Sequence, residues 1–238
     1  MMQTNNNREY IIALAGNPNT GKSTLFNTLT GLNQHTGNWA GKTVARAEGS
    51  FRYKNKKYKV VDLPGTYSLL ANSQEEEIAR NYILFSKPDI TLIVADSTSL
   101  ERNLNLVLQI MQITGKCILC CNLTDEAERK SMIIDERILA KELGIPVVKI
   151  SARTKKGLSE LQDKIDLMIE GKILTNPRKI SLPDNINKEV KKISAQLKQI
   201  FPDIINAEWI TLRLLENDPA IIKAVSTGEI SQMYTDKT

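Results

Sequence analysis

Between Tyr10 and Glu170 short apolar runs alternate with segments in which apolar residues recur every three or four positions. That alternation is the pattern of βα units laid around a mostly parallel sheet. The runs at 10–15, 45–53, 58–62, 90–96, 116–122 and 147–150 predict six strands, and the periodic segments at 22–30, 74–85, 100–113, 135–143 and 158–170 predict helices. Only Lys54-Asn55-Lys56-Lys57 separates the second strand from the third, which suits a hairpin and predicts one antiparallel edge strand. Ser73 followed by Glu76 has the form of a capping box. After Glu170 the character changes to a polar stretch with two prolines, Pro177 and Pro183, as at a domain boundary. Beyond it Ile186, Val190, Ile193, Leu197 and Ile200 recur at helical spacing, followed by Trp209, Leu212, Leu214, Leu215 and an apolar run at 219–225. So few apolar residues predict a small helical unit that packs on the first domain or on a further neighbour. Residues 231–238 show no period and are expected to fray.

Composition narrows the class. Of 238 residues 41% are hydrophobic and 25% charged, an ordinary globular balance. No apolar run approaches the ~20 residues of a membrane-spanning helix, and the polar start from Met1 to Tyr10 has no apolar secretory core. A soluble cytoplasmic chain is expected. The net charge of +5 favours an anionic partner without selecting nucleotide, nucleic acid or lipid. Cys117, Cys120 and Cys121 crowd into one predicted strand, whose alternating faces argue against disulfides; C-x-x-C leaves a metal or redox role open beside that of buried thiols.

The chemistry sits in the loops. Gly16-Asn17-Pro18-Asn19-Thr20-Gly21-Lys22-Ser23 fits G-x-x-x-x-G-K-[ST] between a predicted strand and a predicted helix, and Thr24 continues into that helix. Such a loop wraps a β-phosphate in backbone N–H groups, sets a lysine against the β- and γ-phosphates and offers a hydroxyl, here Ser23, to magnesium. About forty residues on, Asp62-Leu63-Pro64-Gly65 fits D-x-x-G, with Asp62 toward magnesium and the Gly65 N–H toward a γ-phosphate. Asn122-Leu123-Thr124-Asp125 fits N-x-x-D, whose carboxylate accepts both N1–H and the N2 amine of guanine, a donor pair that adenine lacks. Ser151-Ala152-Arg153 follows the last strand, where a backbone N–H reaches guanine O6. The first two motifs indicate an NTPase, and the third turns it into a GTPase.

Between the P-loop and Asp62 a polar, glycine-rich stretch from His35 to Val44 stands where a switch loop belongs. Within Gly41-Lys42-Thr43 the threonine is the candidate to join magnesium when a γ-phosphate is present. His35 has no recognisable partner and reads as a bystander rather than a base. Trp39 is either a nucleotide-sensitive lid or a hydrophobic anchor. Thr66 stands where Ras-type GTPases place a water-orienting glutamine and is too short for that task, so hydrolysis is expected to be slow. Lys22, Thr43, Gly65 and Asn19 are the candidate catalytic groups.

These motifs, with Thr-Gly-Asn-Trp-Ala-Gly-Lys-Thr-Val and Asp-Leu-Pro-Gly-Thr-Tyr-Ser-Leu, give a chain that resembles the cytoplasmic N-terminal region of ferrous iron transport protein B, FeoB. The resemblance implies a P-loop GTPase domain at 8–171, a linker at 172–184 and a helical domain at 185–230. It also implies GTP and GDP as ligands with magnesium, and a potassium ion contacted by Asn19. The partner it implies is a transmembrane permease domain outside this chain, at the cytoplasmic face of the bacterial membrane; a homo-oligomer stays open. Lys42 departs from the aliphatic residue the family prefers before the threonine. Ribosome-assembly and tRNA-modification GTPases share the P-loop form, and Lys188, Lys191, Lys192 and Lys198 give the helical unit a basic side. The absence of interleaved aromatics argues against nucleic acid. A nucleotide switch with negligible catalysis is the other alternative.

Overall fold

A computed structural model describes residues 8–31, 34–179 and 181–235. The apolar runs become β1 (Glu9–Gly16), β5 (Ile90–Asp96) and β6 (Cys117–Asn122), which pair in parallel inside a sheet. It is completed by β2 (Gln34–Asn38), β3 (Ala45–Tyr53), β4 (Lys56–Asp62) and β7 (Val147–Lys149), in the order β2-β3-β4-β1-β5-β6-β7. The expected hairpin between β3 and β4 closes with Tyr53 opposite Lys56, and Lys54 and Asn55 take φ of 44° and 62°. Two successive positive φ values are the signature of a type I′ turn, whose twist matches that of the strands.

The sheet has seven strands among the described residues, where the pattern predicted six. The additional one, β2, pairs antiparallel with β3 and takes the edge, so β3, the one strand that runs against the rest, lies one place in from the edge. Its sequence, Gln-His-Thr-Gly-Asn, is polar and mostly exposed, and no hydrophobic period marks a strand held by backbone pairing and polar side-chain bonds from Gln34.

Alternation along the strands divides the core. Ile12, Leu14, Val60, Leu92 and Val94 meet Leu25, Phe26 and Leu29 of α1 (Lys22–Thr30) and Leu161 and Ile165 of α6 (Leu158–Ile169). Ala13, Ala15, Val61, Ile93 and Leu119 face the other way, toward α2 (Gln74–Phe85), α3 (Leu100–Ile113) and α5 (Glu136–Leu143). A short helix, α4 (Thr124–Arg129), follows β6. The helical unit comprises α7 (Asp184–Ile200), α8 (Ala207–Leu215), α9 (Pro219–Ser226) and α10 (Glu229–Thr235), and its Leu197, Trp209, Ile210, Ile221 and Ile230 belong to the same buried cluster as the second face of the sheet. The expected fraying from residue 231 is not what the backbone does: α10 runs to Thr235, tied down by fully buried Ile230. Residues 1–7 of the polar start and 236–238 of the tail lie outside the described residues. No described helix is long and apolar enough to cross a membrane.

The proline-bearing segment does not swing free. Thr175 Oγ1 donates to Gly115 O at 2.7 Å, Asn176 N to Gly144 O at 2.9 Å and Arg178 N to Leu143 O at 2.9 Å. Gly144 sits at φ 71°, and a Cβ there would lie 1.9 Å from Asn176 O, so the strap and the glycine that ends α5 require each other.

One buried ion pair joins α2 to the helical unit. Arg80, 1% exposed, donates from Nη1 to Asp218 Oδ2 at 2.7 Å, while Asp218 Oδ1 caps α9 by accepting from Ala220 N and Ile221 N. Burial pushes the Arg80 guanidinium below its ordinary pKa, and the Asp218 charge opposes that shift. A buried pair contributes little against an apolar replacement, but breaking it by removing one partner costs about 3–5 kcal/mol. Arg80→Met is therefore expected to lower stability by about 3 kcal/mol in urea unfolding, with much of the loss recovered in Arg80→Met/Asp218→Asn, where no buried charge is left alone. Equal losses in the single and double variants would show that the pair is not what matters there.

Candidate functional site

The first loop of the site grows out of β1. Gly21 begins α1 at φ 77° and Asn19 sits at φ 64°, a left-handed conformation that asparagine tolerates better than most residues. Thr20 Oγ1 donates to Asn17 O at 2.9 Å, which closes the turn. Asn17, Pro18, Asn19, Gly21, Lys22, Ser23, Thr24 and Gly65 line one cavity of about 450 Å³. Lys22 is buried and donates from Nζ to Asp62 Oδ1 at 2.5 Å and to Leu63 O at 2.6 Å, so P-loop and D-x-x-G motif share one ammonium. Burial pushes the Asp62 carboxyl above its ordinary pKa, against the pull of the Lys22 charge. Leu63 N donates to Leu14 O at 3.0 Å and Thr66 N to Gly16 O at 3.2 Å, pinning Pro64 and Gly65 beside Pro18. Thr66 is buried.

The second half is organised by Asn122 at the end of β6. Its Nδ2 donates to Thr20 O at 2.8 Å and its Oδ1 accepts from Ala152 N at 2.9 Å, so one carboxamide joins the P-loop, the N-x-x-D turn and the loop after β7. Gly21 must lack a side chain, because a Cβ would come 2.3 Å from Asn122 Nδ2. Leu123 turns the chain at φ 61°, and Thr124 donates to Ile150 O from both N, at 3.2 Å, and Oγ1, at 2.9 Å. Asp125 then stands on the first turn of α4 beside Ser151 and Arg153, and the hydrogen bond from Arg153 Nη2 to its Oδ2 at 2.7 Å holds the carboxyl below the ordinary aspartate range. N-x-x-D marked Asn122 as part of the site; its contact with the P-loop carried no sequence signal.

The remaining candidates lie elsewhere. His35 is an exposed residue of β2 opposite Glu48. Trp39 N donates to Val44 O at 3.0 Å, so Ala40, Gly41, Lys42 and Thr43 form the tip of a hairpin between β2 and β3. Trp39 is an anchor: it is buried, meets Tyr82 of α2 edge-on at 5.5 Å and lies under the Arg46 guanidinium at 4.7 Å. Lys42 Nζ pairs with Glu77 Oε2 at 3.0 Å, and exposed Thr43 has no hydrogen bond to the P-loop among the described residues. Cys117 and Cys121 face one side of the sheet and Cys120 the other, so the C-x-x-C pair is divided between faces. Burial pushes the Cys117 and Cys121 thiols up to about 12 and Cys120 further in the same direction.

Residues 10–165 match the family described as ferrous iron transport protein B, and residues 183–236 match the FeoB cytosolic helical domain. The chain belongs to the FeoB family. It is 43% identical over 225 residues to the Fe(2+) transporter FeoB of Methanocaldococcus jannaschii and 37% identical over 229 residues to that of Escherichia coli, in each case over 94% of this chain. It spans 33% and 29% of those curated relatives. Among solved structures, the cytosolic domain of T. maritima FeoB in a GDP form superposes with a TM-score of 0.85 at 38% identity, covering 92% of this chain and 86% of that one. The same domain in a GMPPNP form gives 0.82 at 39% identity, with 92% and 85% covered. The cytosolic domain of L. pneumophila FeoB gives 0.83 at 33% identity, with 95% and 89% covered. The P-loop GTPase fold followed by helices is therefore the architecture of a FeoB cytosolic region, and the ribosome-assembly reading falls away.

Because Asn122 ties both halves of this FeoB site together, its removal strands buried groups. Asn122→Ala is expected to cost about 1–3 kcal/mol in urea unfolding, from a Thr20 carbonyl and an Ala152 N–H left without partners. Stability within 0.5 kcal/mol of the parent, a surface-like value, would mean that the loops hold without it.

Proposed function

We propose that this chain binds GTP and GDP and hydrolyses GTP slowly, as the regulatory GTPase of a bacterial ferrous iron transporter whose membrane-spanning permease lies outside this chain. In that reading residues 8–171 form the nucleotide domain, 172–184 the strap and 185–230 the helical domain, at the cytoplasmic face of the membrane. The observation that carries it is the Asn122 bridge, which sets the guanine-reading Asp125 at a fixed place relative to the phosphate-wrapping loop. FeoB cytosolic domains in GDP and GMPPNP forms superpose on this chain and support the same ligand class.

Each group has a role that its surroundings allow. Backbone N–H groups from Gly16 to Thr24 would surround the phosphates at the start of α1, with the Lys22 ammonium against the β- and γ-oxygens. Lys22 then leaves Asp62 for phosphate. Ser23 and Asp62 are the hard oxygen donors that magnesium takes, and Thr43 would join them only when the hairpin tip closes on a γ-phosphate. Bound magnesium would neutralise charge on the phosphate groups. Gly65 N–H would meet the γ-phosphate, while Leu123 and Ala152 enclose the base. Asn19 offers a carbonyl oxygen from an exposed position on the P-loop, a fitting donor for potassium. With Thr66 in place of glutamine and no arginine between Gly16 and Ser23, potassium would supply the charge that an arginine finger supplies elsewhere.

The test of the guanine assignment is Asp125→Asn. An amide places a donor against a guanine donor, and each unpaired group costs about 1–3 kcal/mol, so GTP affinity should fall at least about tenfold while affinity for xanthosine triphosphate rises. Titration of fluorescent analogues reads both, and unchanged GTP affinity would remove the assignment.

Potassium is tested by turnover in potassium chloride against sodium chloride at constant ionic strength. Faster hydrolysis in potassium is expected for the parent chain and equal rates for Asn19→Ala. Equal rates in the parent would sink the potassium role, and stimulation persisting in Asn19→Ala would place the ligand elsewhere.

A further inference from the structure

The loop after β7 grips α4 through two ion pairs that the roles above leave unused. Arg153 Nη2 meets Asp125 Oδ2 at 2.7 Å, and Lys156 Nζ meets Glu128 Oε1 at 2.7 Å. Both partners step three residues together, and on a helix that step keeps Asp125 and Glu128 on one face. The loop doubles back, with Ser151 N donating to Lys156 O at 3.0 Å and Lys155 at φ 64°, which presents Arg153 and Lys156 to the same helix. Arg129, one turn along α4, lies 3.7 Å from the same Asp125 Oδ2. Both guanidinium contacts thus fall on one oxygen of the carboxylate.

A carboxylate that reads guanine must present its two oxygens in one plane to N1–H and the N2 amine. Left to itself, the Asp125 side chain would rotate about its terminal bond, and ordering it would cost affinity on every binding event. A guanidinium hydrogen-bonded to one edge removes that freedom beforehand and keeps the group ionised. Arg153 can do so without crowding the base, because its side chain is 69% exposed and reaches in from the rim. We propose that Arg153 is a positioning residue for guanine, which sets the plane of the Asp125 carboxylate and thereby slows release of guanine nucleotide. This rests on the guanine reading of the site. Lysine, a point charge without a planar fork, replaces it only in part.

The experiment is stopped-flow release of fluorescent GDP and of a fluorescent non-hydrolysable GTP analogue from the whole chain. Arg153→Ala is expected to release both about threefold to tenfold faster, the range for one charge-assisted bond at a partly exposed site. Arg153→Lys should fall between, and Lys156→Ala, which breaks the neighbouring pair without touching Asp125, should stay within about twofold of the parent, as expected for an exposed pair. The deciding arm uses fluorescent xanthosine diphosphate in the Asp125→Asn background, where the side chain carries no charge for a guanidinium to hold. Adding Arg153→Ala there should accelerate release less than it does in the parent, because an amide oxygen accepts only the weaker neutral hydrogen bond. Unchanged or slower guanine release in Arg153→Ala overturns the proposal, the latter by showing that Arg153 competes with the base. Equal acceleration in the Asp125→Asn background, or by Lys156→Ala, also overturns it by assigning the effect to the loop fold. Failure of the parent to bind either guanine nucleotide overturns the guanine reading, and this proposal with it.

Discussion

A carboxamide can donate on one side and accept on the other, and Asn122 uses both capacities at the one point where three loops converge. Thr20 belongs to the P-loop, Ala152 to the loop after β7, and Asn122 itself opens the turn to Asp125. The bridge is fully buried, where a lost partner is expensive and a made bond is electrostatically strong. It also dictates its neighbour: Gly21 cannot carry a side chain while Asn122 Nδ2 occupies that space. The distance between the P-loop and the N-x-x-D turn is thus set by one short side chain on β6, a strand paired on both sides.

At both ends of the candidate site an acid is held by a cation of the protein. Lys22 holds Asp62 in a buried setting that burial alone would drive toward protonation, and Arg153 holds Asp125 near the surface, where the hydrogen bond keeps the carboxyl ionised. The two differ in what a ligand must do. In the proposed function phosphate would take Lys22 for itself, so the inner pair would have to be exchanged, whereas guanine would approach Asp125 with the outer pair in place. Exchange of a buried pair is costly unless the incoming group is itself a strong anion, which favours ligands carrying phosphate.

The motifs were legible in the sequence because each needs particular residue types at fixed spacing in the loops that leave β1, β4 and β6. The parallel strands were legible because burial on both faces makes them continuous apolar runs. What stayed hidden has a physical cause in each case. β2 is a polar edge strand whose pairing uses backbone groups that every residue has. α4 is six residues long, too short for a period to show. α10 is anchored by Ile230 and Met233 against distant elements, which no local pattern could reveal. Arg153 was placed in the base-facing loop for its backbone, and its side-chain contact with Asp125 spans 28 residues, beyond any local reading.

Trp39 shows how far a single anchor can decide the behaviour of a loop. The tip that carries Thr43 is held to α2 by two contacts of unequal strength. The Lys42–Glu77 pair is about a third exposed on each side, and such pairs contribute about 0–1 kcal/mol. Trp39 is buried against Tyr82, and truncating a buried tryptophan costs about 3–5 kcal/mol. Its Nε1 has no hydrogen-bond partner among the described residues, where packing and the Arg46 contact hold the ring. For Thr43 to reach a metal beside Ser23, the tip must either pivot about a fixed Trp39 or pull it from α2, and the inequality favours the pivot. The helix serving as that fulcrum also carries Arg80, whose buried pair with Asp218 reaches the helical unit from the same two turns. The tip and the helical unit are therefore anchored on the same helix, and a pivot about Trp39 leaves the contact with the helical unit in place.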